Sequence, residues 1–182
     1  MTHNTHPHTA PDRIVPVTHP NPTKILGMIV KRSFAALSTT SPADRPHVAG
    51  VLYAAVGTTL YVNSLSASRK VRNIEANKHV AVVIPVRRLP VGPPSSIQFQ
   101  ATATILGIDH HEIQALATAG RLKTITSHGE LDNPESCFIQ ITPGDAVFTY
   151  GLGLSLVSLI RDPLNAGGRV NLSDMTATET ES

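Results

Sequence analysis

Two adjacent cations, Arg69 and Lys70, lie where a predicted helix over 68–76 begins. The first backbone amides of a helix are unpaired and carry partial positive charge, so each cation placed there costs roughly 0.3–1 kcal/mol. Three serine hydroxyls lie close by in the sequence, on Ser64, Ser66 and Ser68. Amides, hydroxyls and cationic side chains together bind phosphate well. The cluster therefore predicts a site for a phosphate-bearing ligand, and the alternative is a solvated helix start that binds nothing.

The other residues that could do chemistry form no convincing set. The sequence suggests neither a Ser-His-Asp arrangement nor a pair of catalytic carboxylates, so the catalytic residues stay unassigned. His110 and His111 are adjacent in a predicted helix, where successive side chains diverge by about 100°, so they do not easily share one metal ion. Cys137 is the single cysteine, which excludes an internal disulfide and a cysteine-rich zinc site. We expect no metal site and an inert, buried thiol.

Composition limits the classes of function. The chain has 182 residues, of which 41% are hydrophobic and 15% charged, and this suits one domain with a sizeable core. A net charge of only +2, few aromatic residues and no Trp argue against a nucleic-acid surface. The N-terminus lacks the apolar core of a secretory signal, and the longest apolar run, 151–160, is about half a membrane span. We expect a soluble cytoplasmic protein that binds neither nucleic acid nor membranes.

Hydrophobic periodicity predicts mainly β structure with short helices at the connections. The predicted strands cover 33–39, 47–55, 58–64, 79–86, 96–106, 136–141 and 146–150, and the predicted helices cover 24–31, 68–76 and 109–119. The strand at 79–86 is apolar at successive positions, so we expect both of its faces to be covered. Asn77 is expected to close its helix in the left-handed conformation, and Asp109 is expected to form a capping pair with Glu112.

Antiparallel strands in this number, joined by short connections, favour a small closed or nearly closed β-barrel. We expect residues 1–22 to form a disordered tail, because they are rich in His, Pro, Thr and Asn. The barrel domain is expected over 23–151. Residues 152–182 are expected to form a C-terminal arm and a disordered tail.

The residues around the cation pair resemble the split-barrel flavoproteins, the family of pyridoxamine 5′-phosphate oxidase and its deazaflavin-using relatives. The resemblance lies in Leu60-Tyr61-Val62-Asn63-Ser64, in Ser68-Arg69-Lys70-Val71-Arg72-Asn73-Ile74, and in Asn77 followed by a hydrophobic strand. It extends to the hairpin that begins at Pro46-His47-Val48 and to Ile141-Thr142-Pro143, and so covers about residues 24–150. It implies a mainly β fold, a six-stranded antiparallel split β-barrel with short connecting helices.

The resemblance also implies a homodimer with one flavin in each of two clefts between the subunits. Arg69 and Lys70 would bind the terminal phosphate with Ser68 nearby, and Asn63 and Ser64 would lie along the ribityl chain or the ring. The strand over 47–52 would edge the isoalloxazine, mostly through backbone groups. The residues assigned to the cofactor in this way are Val48, Ala49, Val51, Asn63, Ser64, Ser68, Arg69, Lys70 and Gln98.

Two departures from the oxidase pattern argue against true pyridoxamine 5′-phosphate oxidation. The oxidases carry a Trp-containing C-terminal segment that contacts cofactor and substrate phosphate, whereas this chain has no Trp. The second strand also lacks the Arg and Lys that help hold the flavin phosphate. We therefore expect an FMN-dependent oxidoreductase that acts on an unidentified small molecule. The alternatives are a reductase that uses an 8-hydroxy-5-deazaflavin cofactor and a protein that binds flavin or haem without turnover.

Overall fold

The computed structural model describes residues 20–87 and 95–173. The helices are α1 Pro22–Val30, α2 Arg69–Ala76, α3 His111–Thr118 and α4 Leu156–Arg161. The strands are β1 Phe34–Thr40, β2 Pro46–Leu52, β3 Ala54–Val56, β4 Thr59–Leu65, β5 His79–Val86, β6 Ser95–Gly107, β7 Ser136–Pro143, β8 Ala146–Tyr150 and β9 Gly167–Asn171. Residues 1–19 of the disordered tail predicted over 1–22 lie outside the described residues, as does the end of the tail predicted at the C-terminus; Pro22, which was included in the N-terminal tail, begins α1.

The strands form one antiparallel sheet in the order β2-β1-β5-β6-β7-β4-β3, and β8 joins it through β6 and carries β9. The two ends of this path, β2 and β3, are consecutive in the chain, so the sheet must curl back on itself. The prediction of a mainly β split barrel with short helices is confirmed. The described residues contain nine strands instead of the six expected.

The core lies inside the curled sheet, where alternate residues of its strands meet under α1 and α2. A second, smaller cluster lies on the outside of β4 and β7, where α3 and the segment after it cover Tyr61, Leu106 and Phe138. Tyr53 is buried in the first of these clusters and Tyr61 in the second. The buried hydrophobic residues therefore form two packed layers, one on each side of β4 and β7.

The long strand predicted over 47–55 is wrong, because it breaks at Tyr53 into β2 and β3. Tyr53 is fully buried, its hydroxyl donates to the carbonyl of Ile29 at 2.8 Å, and its N–H donates to the carbonyl of Ser33 at 2.8 Å. These bonds take the residue out of the ladder. Strand β2 pairs with β1, whereas β3 pairs with β4 across a turn at Gly57 (φ 59°). The break at Tyr53 therefore lets consecutive strands pair with different neighbours.

Two predicted helix ends are also wrong. Asn77 is extended (φ −147°, ψ 105°), and its side-chain oxygen accepts from the N–H of His79 at 3.0 Å, so it begins β5 instead of forming a left-handed cap. Asp109 does not cap α3: the residue before that helix is His110, which makes no side-chain capping bond. Glu112, its expected partner, turns inward and accepts hydrogen bonds from Tyr61 and Gln140.

The expectation that β5 is covered on both faces is wrong for the single chain. Its residues alternate between exposed and buried, and Val83 is 39% exposed. Strand register places Val83 beside Ala36, and Ala36 beside Gly50, so these residues share the outer face of the sheet. Phe34, Val48 and Leu52 lie on the same face and are also exposed. We define this set over β1, β2 and β5 as the outer apolar face.

Residues 152–172 contain α4, a single 3₁₀ turn and β9. Strand β9 pairs with β8 from Ala146 opposite Asn171 to Tyr150 opposite Gly167. The C-terminal segment is thus joined to the sheet edge, while the predicted domain boundary at 151 stays a prediction.

Candidate functional site

A cleft of about 260 Å³ opens beside the start of α2. We call it the Lys70 cleft. Its walls come from the end of β2, from β4, from α2 and from the segment that follows α3. The lining residues are Gly50, Val51, Leu52, Asn63, Lys70, Thr124, Ile125, His128 and Glu130. Three of the predicted cofactor residues, Val51, Asn63 and Lys70, are therefore brought together.

The local sequence explains why a cation reaches this cleft. Ser68 begins α2 by accepting a hydrogen bond from the N–H of Val71 at 3.4 Å, which fixes where the helix starts. No acidic residue lies in the first turn, and Val71 and Ile74 hold the helix to the core. Lys70 then projects, half-buried, into the cleft beside unpaired amide groups. The site has the elements of an anion-binding pocket.

Asn63 carries an unsatisfied donor into the same cleft. Its side-chain nitrogen Nδ2 is buried and has no hydrogen-bond partner among the described residues. Buried polar groups are nearly always paired, and an orphan costs free energy unless water or a ligand satisfies it. The nitrogen itself is enclosed by protein atoms, so a ligand would reach this donor only if the Asn63 side chain turned toward the cleft. Nearby Val51, Leu52 and Ile125 supply apolar surface.

The far wall of the cleft carries the opposite charge. Glu130 is held by the N–H of His128, which donates to its Oε2 at 2.8 Å and lowers the pKa of the carboxyl. The His128 ring Nδ1 lies 3.7 Å from Glu130 Oε1. Since Lys70 and Glu130 line one cleft, a ligand meets a cation at one wall and a carboxylate at another.

The two serines predicted as ligands, Ser64 and Ser68, already make hydrogen bonds within the protein. The hydroxyl oxygens of Ser64 and Ser68 lie 3.0 Å apart, and Ser64 is buried. Ser68 also caps α2, as described above. Neither serine is among the residues that line the Lys70 cleft, so both support the cation by fixing the β4–α2 connection.

Arg69 does not share the cleft of Lys70. Adjacent residues of a helix point about 100° apart, and Arg69 lines a second cleft of about 520 Å³ between α2 and the β1–β2 loop. We call it the arginine cleft. It is lined by Ser41, Pro42, Ala43, Arg45, Pro46, His47, Arg69, Arg72 and Asn73. The structure thus separates the two cations that the sequence places side by side.

The remaining predicted residues lie elsewhere on the barrel. Val48 is exposed on the outer apolar face, and Ala49 packs from the other side of β2 against the core. Gln98 is exposed on β6, opposite Val83 of β5, and its amide donates to Ser96 Oγ at 2.8 Å. None of these three lines the Lys70 cleft. Their assignment to a cofactor stays a prediction.

Sequence reasoning missed the contribution of the segment after α3. Thr124, Ile125, His128 and Glu130 close the cleft, yet residues 121–135 show no helical or strand periodicity. The signal that was present is a pair of glycines, Gly120 and Gly129. Both adopt positive φ (69° and 84°) and mark turns in a compact connection. Nothing in the local pattern shows that this connection folds over β4.

His110, His111 and Cys137, the residues considered above for metal binding and thiol chemistry, lie within the described residues. No three His, Cys, Asp or Glu side chains converge there. The ring centroids of His110 and His111 lie 4.4 Å apart, and the ring planes are tilted by 35°. Cys137 is buried, and burial raises the pKa of its thiol, in agreement with an inert side chain.

Comparison with known proteins identifies relatives of this arrangement. The sequence profile described as pyridoxamine 5′-phosphate oxidase matches residues 22–150, more than two thirds of the chain. No curated protein matches the sequence.

Three solved structures share the fold. The haem storage protein HutZ from Vibrio cholerae aligns with a TM-score of 0.60 at 20% identity, over 75% of this chain and 98% of that one. General stress protein 26 from Bacillus anthracis aligns with a TM-score of 0.52 at 23% identity, over 70% and 92%. An FAD-binding protein from Mesorhizobium loti aligns with a TM-score of 0.55 at 17% identity, over 69% and 89%. At these identities the likeness shows the fold alone. No helix in residues 20–87 or 95–173 is long and apolar enough to cross a bilayer.

Proposed function

Because this chain belongs to the pyridoxamine 5′-phosphate oxidase family, we propose that it is a homodimeric, FMN-dependent oxidoreductase acting on a small molecule. The observation that carries the proposal is the Lys70 cleft, where a cation and an unsatisfied amide donor face the end of β2. The FAD-binding protein among the structural neighbours gives the fold a flavin-binding precedent.

In this proposal the phosphate end of the flavin binds at the start of α2. Lys70 donates to the phosphate oxygens, and the first amides of the helix add their partial positive charge. Ser64 and Ser68 hold the connection in place through their 3.0 Å contact. Arg69, assigned to the same phosphate from sequence, stays a candidate, although its side chain lines the other cleft.

The ring end of the flavin then lies along β2. Val51, Leu52 and Ile125 would supply apolar surface for a planar ring. The Asn63 amide would supply a donor to the ring or the ribityl chain once its side chain turned toward the cleft. Lys70 and the apolar side chains fit the group, whereas the Glu130 carboxylate in the same cleft would repel its phosphate.

A bound flavin would supply the hydride-transfer chemistry. The protein then needs only to bind and orient the flavin and the substrate and to exclude competing molecules. Glu130 is held as a carboxylate by the N–H of His128, so it repels a second anion from that wall. We propose that it favours a neutral or cationic substrate. True pyridoxamine 5′-phosphate oxidation is not proposed, because its substrate carries a phosphate and the chain lacks the Trp-bearing segment.

The homodimer part of the proposal is supported by the outer apolar face. Phe34, Val48, Leu52 and Val83 are exposed in the single chain and form one patch over three strands. Contiguous apolar patches on soluble proteins are typical of interfaces. We propose that a second copy of the chain covers this face.

The test compares the FMN affinity of the Lys70→Ala variant with that of wild type. Each protein is titrated with FMN, and binding is measured by flavin fluorescence. Loss of one charge-assisted hydrogen bond weakens binding by about 1.5–3 kcal/mol, roughly tenfold to 150-fold. Lys24→Ala is the matched control, since Lys24 is exposed on α1 and lines neither cleft. Equal FMN affinity in wild type and Lys70→Ala contradicts the assignment.

The same purified protein separates the cofactor classes. FMN-loaded protein is yellow, and bleaching by a reductant with reoxidation by a candidate substrate supports an enzyme. A protein that rejects FMN but binds added 8-hydroxy-5-deazaflavin cofactor supports the reductase alternative. A Soret band with added haem and no flavin binding supports a haem-binding protein and refutes the proposal.

A further inference from the structure

The connection between α3 and β7 forms one wall of the Lys70 cleft, and its middle is held differently from its two ends. Near the first end Ile125 is buried in the smaller hydrophobic cluster. At the other end the carbonyl of Glu135 accepts hydrogen bonds from both the N–H and the hydroxyl of Ser66, at 2.9 and 3.0 Å. Both ends are therefore fixed to the barrel. We call residues 127–132, which lie between these fixed points, the flap.

The flap makes its hydrogen bonds within itself. The N–H of His128 donates to Glu130 Oε2 at 2.8 Å, and the N–H of Asp132 donates to the carbonyl of Gly129 at 3.1 Å. The hydroxyl of Ser127 lies 3.0 Å from Nδ1 of His128. In the part of the chain that the structure describes, no hydrogen bond joins the flap to the barrel. The flap can therefore move away from the barrel with its own hydrogen bonds intact.

One apolar side chain packs the flap against the barrel. Leu131 is half-buried against the smaller hydrophobic cluster, and it is the only hydrophobic residue between positions 127 and 132. The exposed residues of the flap include His128, whose side chain is 86% exposed, and Gly129. A segment with so few buried contacts opens at a small part of the free energy of global unfolding.

Motion of the flap changes the opening of the Lys70 cleft. His128 and Glu130 line the cleft from the flap, whereas Thr124 and Ile125 line it from the fixed part of the same connection. We propose that the flap is a lid that controls access to the Lys70 cleft. Its opening exposes the half-buried Lys70 ammonium group to solvent, and its closing restores the wall. That the admitted ligand is a flavin rests on the proposed function, whereas the control of access to Lys70 does not.

Gly129 offers a way to shift the lid toward its open form. Its φ is 84°, and a Cβ added there would meet no atom within 4 Å, so Gly129→Ala strains the backbone of the closed flap without a steric clash. Leu131→Ala weakens the closed form by a different route, because it removes apolar contact and leaves the backbone unchanged. Gly167→Ala is the matched control, since its added Cβ also meets open space and its φ is not positive.

The test measures how fast acetic anhydride acetylates Lys70 in the ligand-free full chain, with the product located by mass spectrometry. Gly129→Ala is expected to speed this reaction about fivefold to 30-fold, the factor that corresponds to about 1–2 kcal/mol of left-handed strain. Hydrogen exchange of the flap amides should rise by a similar factor. Leu131→Ala should act in the same direction, and Gly167→Ala should match wild type. Lys24, exposed on α1, should react at one rate in all four proteins.

Three outcomes overturn the inference. Lys70 that reacts equally fast in wild type and in both flap variants refutes the lid. Faster amide exchange in the flap without faster reaction of Lys70 shows that the flap moves but does not control the cleft. A rise at Lys24 as large as that at Lys70 shows a general loosening of the fold, which also contradicts the proposal.

FMN then separates the lid from the proposed function. With FMN bound, the flap amides of wild type should exchange more slowly, while those of the turn at Gly57, outside the cleft, should not change. FMN association and dissociation should both be faster in Gly129→Ala, because each step waits for the lid to open. Lys70 controlled by the flap in a protein that does not bind FMN supports the lid and refutes the flavin. FMN binding with Lys70 unaffected by the flap variants has the opposite meaning.

Discussion

Val83→Glu is the substitution that tests the outer apolar face most directly. Val83 lies in the middle of β5, between Ala36 on β1 and Gln98 on β6, and 39% of it is exposed in the single chain. Around it the same face carries Val48 and Leu52, which are 65% and 56% exposed. Gly50 allows the Phe34 ring to lie over this surface, because a Cβ at position 50 would come within 3.0 Å of that ring.

The expected effect differs sharply between monomer and dimer. An exposed position in a monomer tolerates a new charge within about 0.5 kcal/mol. At an interface the carboxylate is buried without a partner, at a cost of about 1–3 kcal/mol or more. Because a two-fold dimer carries the substitution twice, dissociation is favoured by about 2–6 kcal/mol, a roughly 30-fold to 10⁴-fold weaker association.

Sedimentation equilibrium over a range of concentrations measures this association. Wild type is expected to be dimeric, and Val83→Glu is expected to be a folded monomer with a similar thermal midpoint at low concentration. Leu164→Glu is the matched control, since Leu164 is 94% exposed but lies off this face, near β9. A monomeric wild type, or a Val83→Glu variant that dimerises as tightly as wild type, refutes the reasoning.

Two further predictions concern the packing that supports the site. Glu112→Ala removes the acceptor of the Tyr61 hydroxyl beneath α3 and leaves the Gln140 amide with only the Tyr61 oxygen, at 3.3 Å, so urea unfolding should show a loss of about 1–3 kcal/mol. An unchanged free energy of unfolding would show that the network contributes nothing. Cys137 is only 4% exposed and burial raises the pKa of its thiol, so it should react with a disulfide reagent far more slowly in native than in urea-unfolded protein. The same shift means that the unfolded thiol ionises first, so this residue's contribution to stability is complete below its ordinary pKa and declines as pH rises through that value; Cys137→Ser should flatten that part of the stability profile.

The sequence predicted best those elements whose evidence is local. Strict alternation over 96–106 and the apolar pattern of 79–86 both gave strands that the structure contains. The helix predicted over 68–76 is present as Arg69–Ala76, with Ser68 as its capping residue. In each case a periodic burial pattern or a single capping bond decides the conformation, and both are written in neighbouring residues.

The errors arise where a distant partner decides. Tyr53 leaves its strand because it bonds to α1, twenty-four residues away. Glu112 looks like a capping residue from its spacing, but Tyr61 and Gln140 draw it inward. The exposed residues of β5 were predicted to be buried because they are hydrophobic. The sequence does not show whether the same chain or a second one packs against them.

The cation pair shows how local electrostatics determine the chemistry of a site but not its geometry. Arg69 and Lys70 in a first helical turn predict an anion whatever the fold, because the helix field acts on both. Their directions differ by the rotation of one residue, and only the barrel decides what each then faces: the end of β2 and Asn63 for Lys70, the β1–β2 loop and Arg45 for Arg69. The two cations, which the sequence suggests as one phosphate site, therefore line two different clefts, and separate variants of Arg69 and Lys70 are needed to test each.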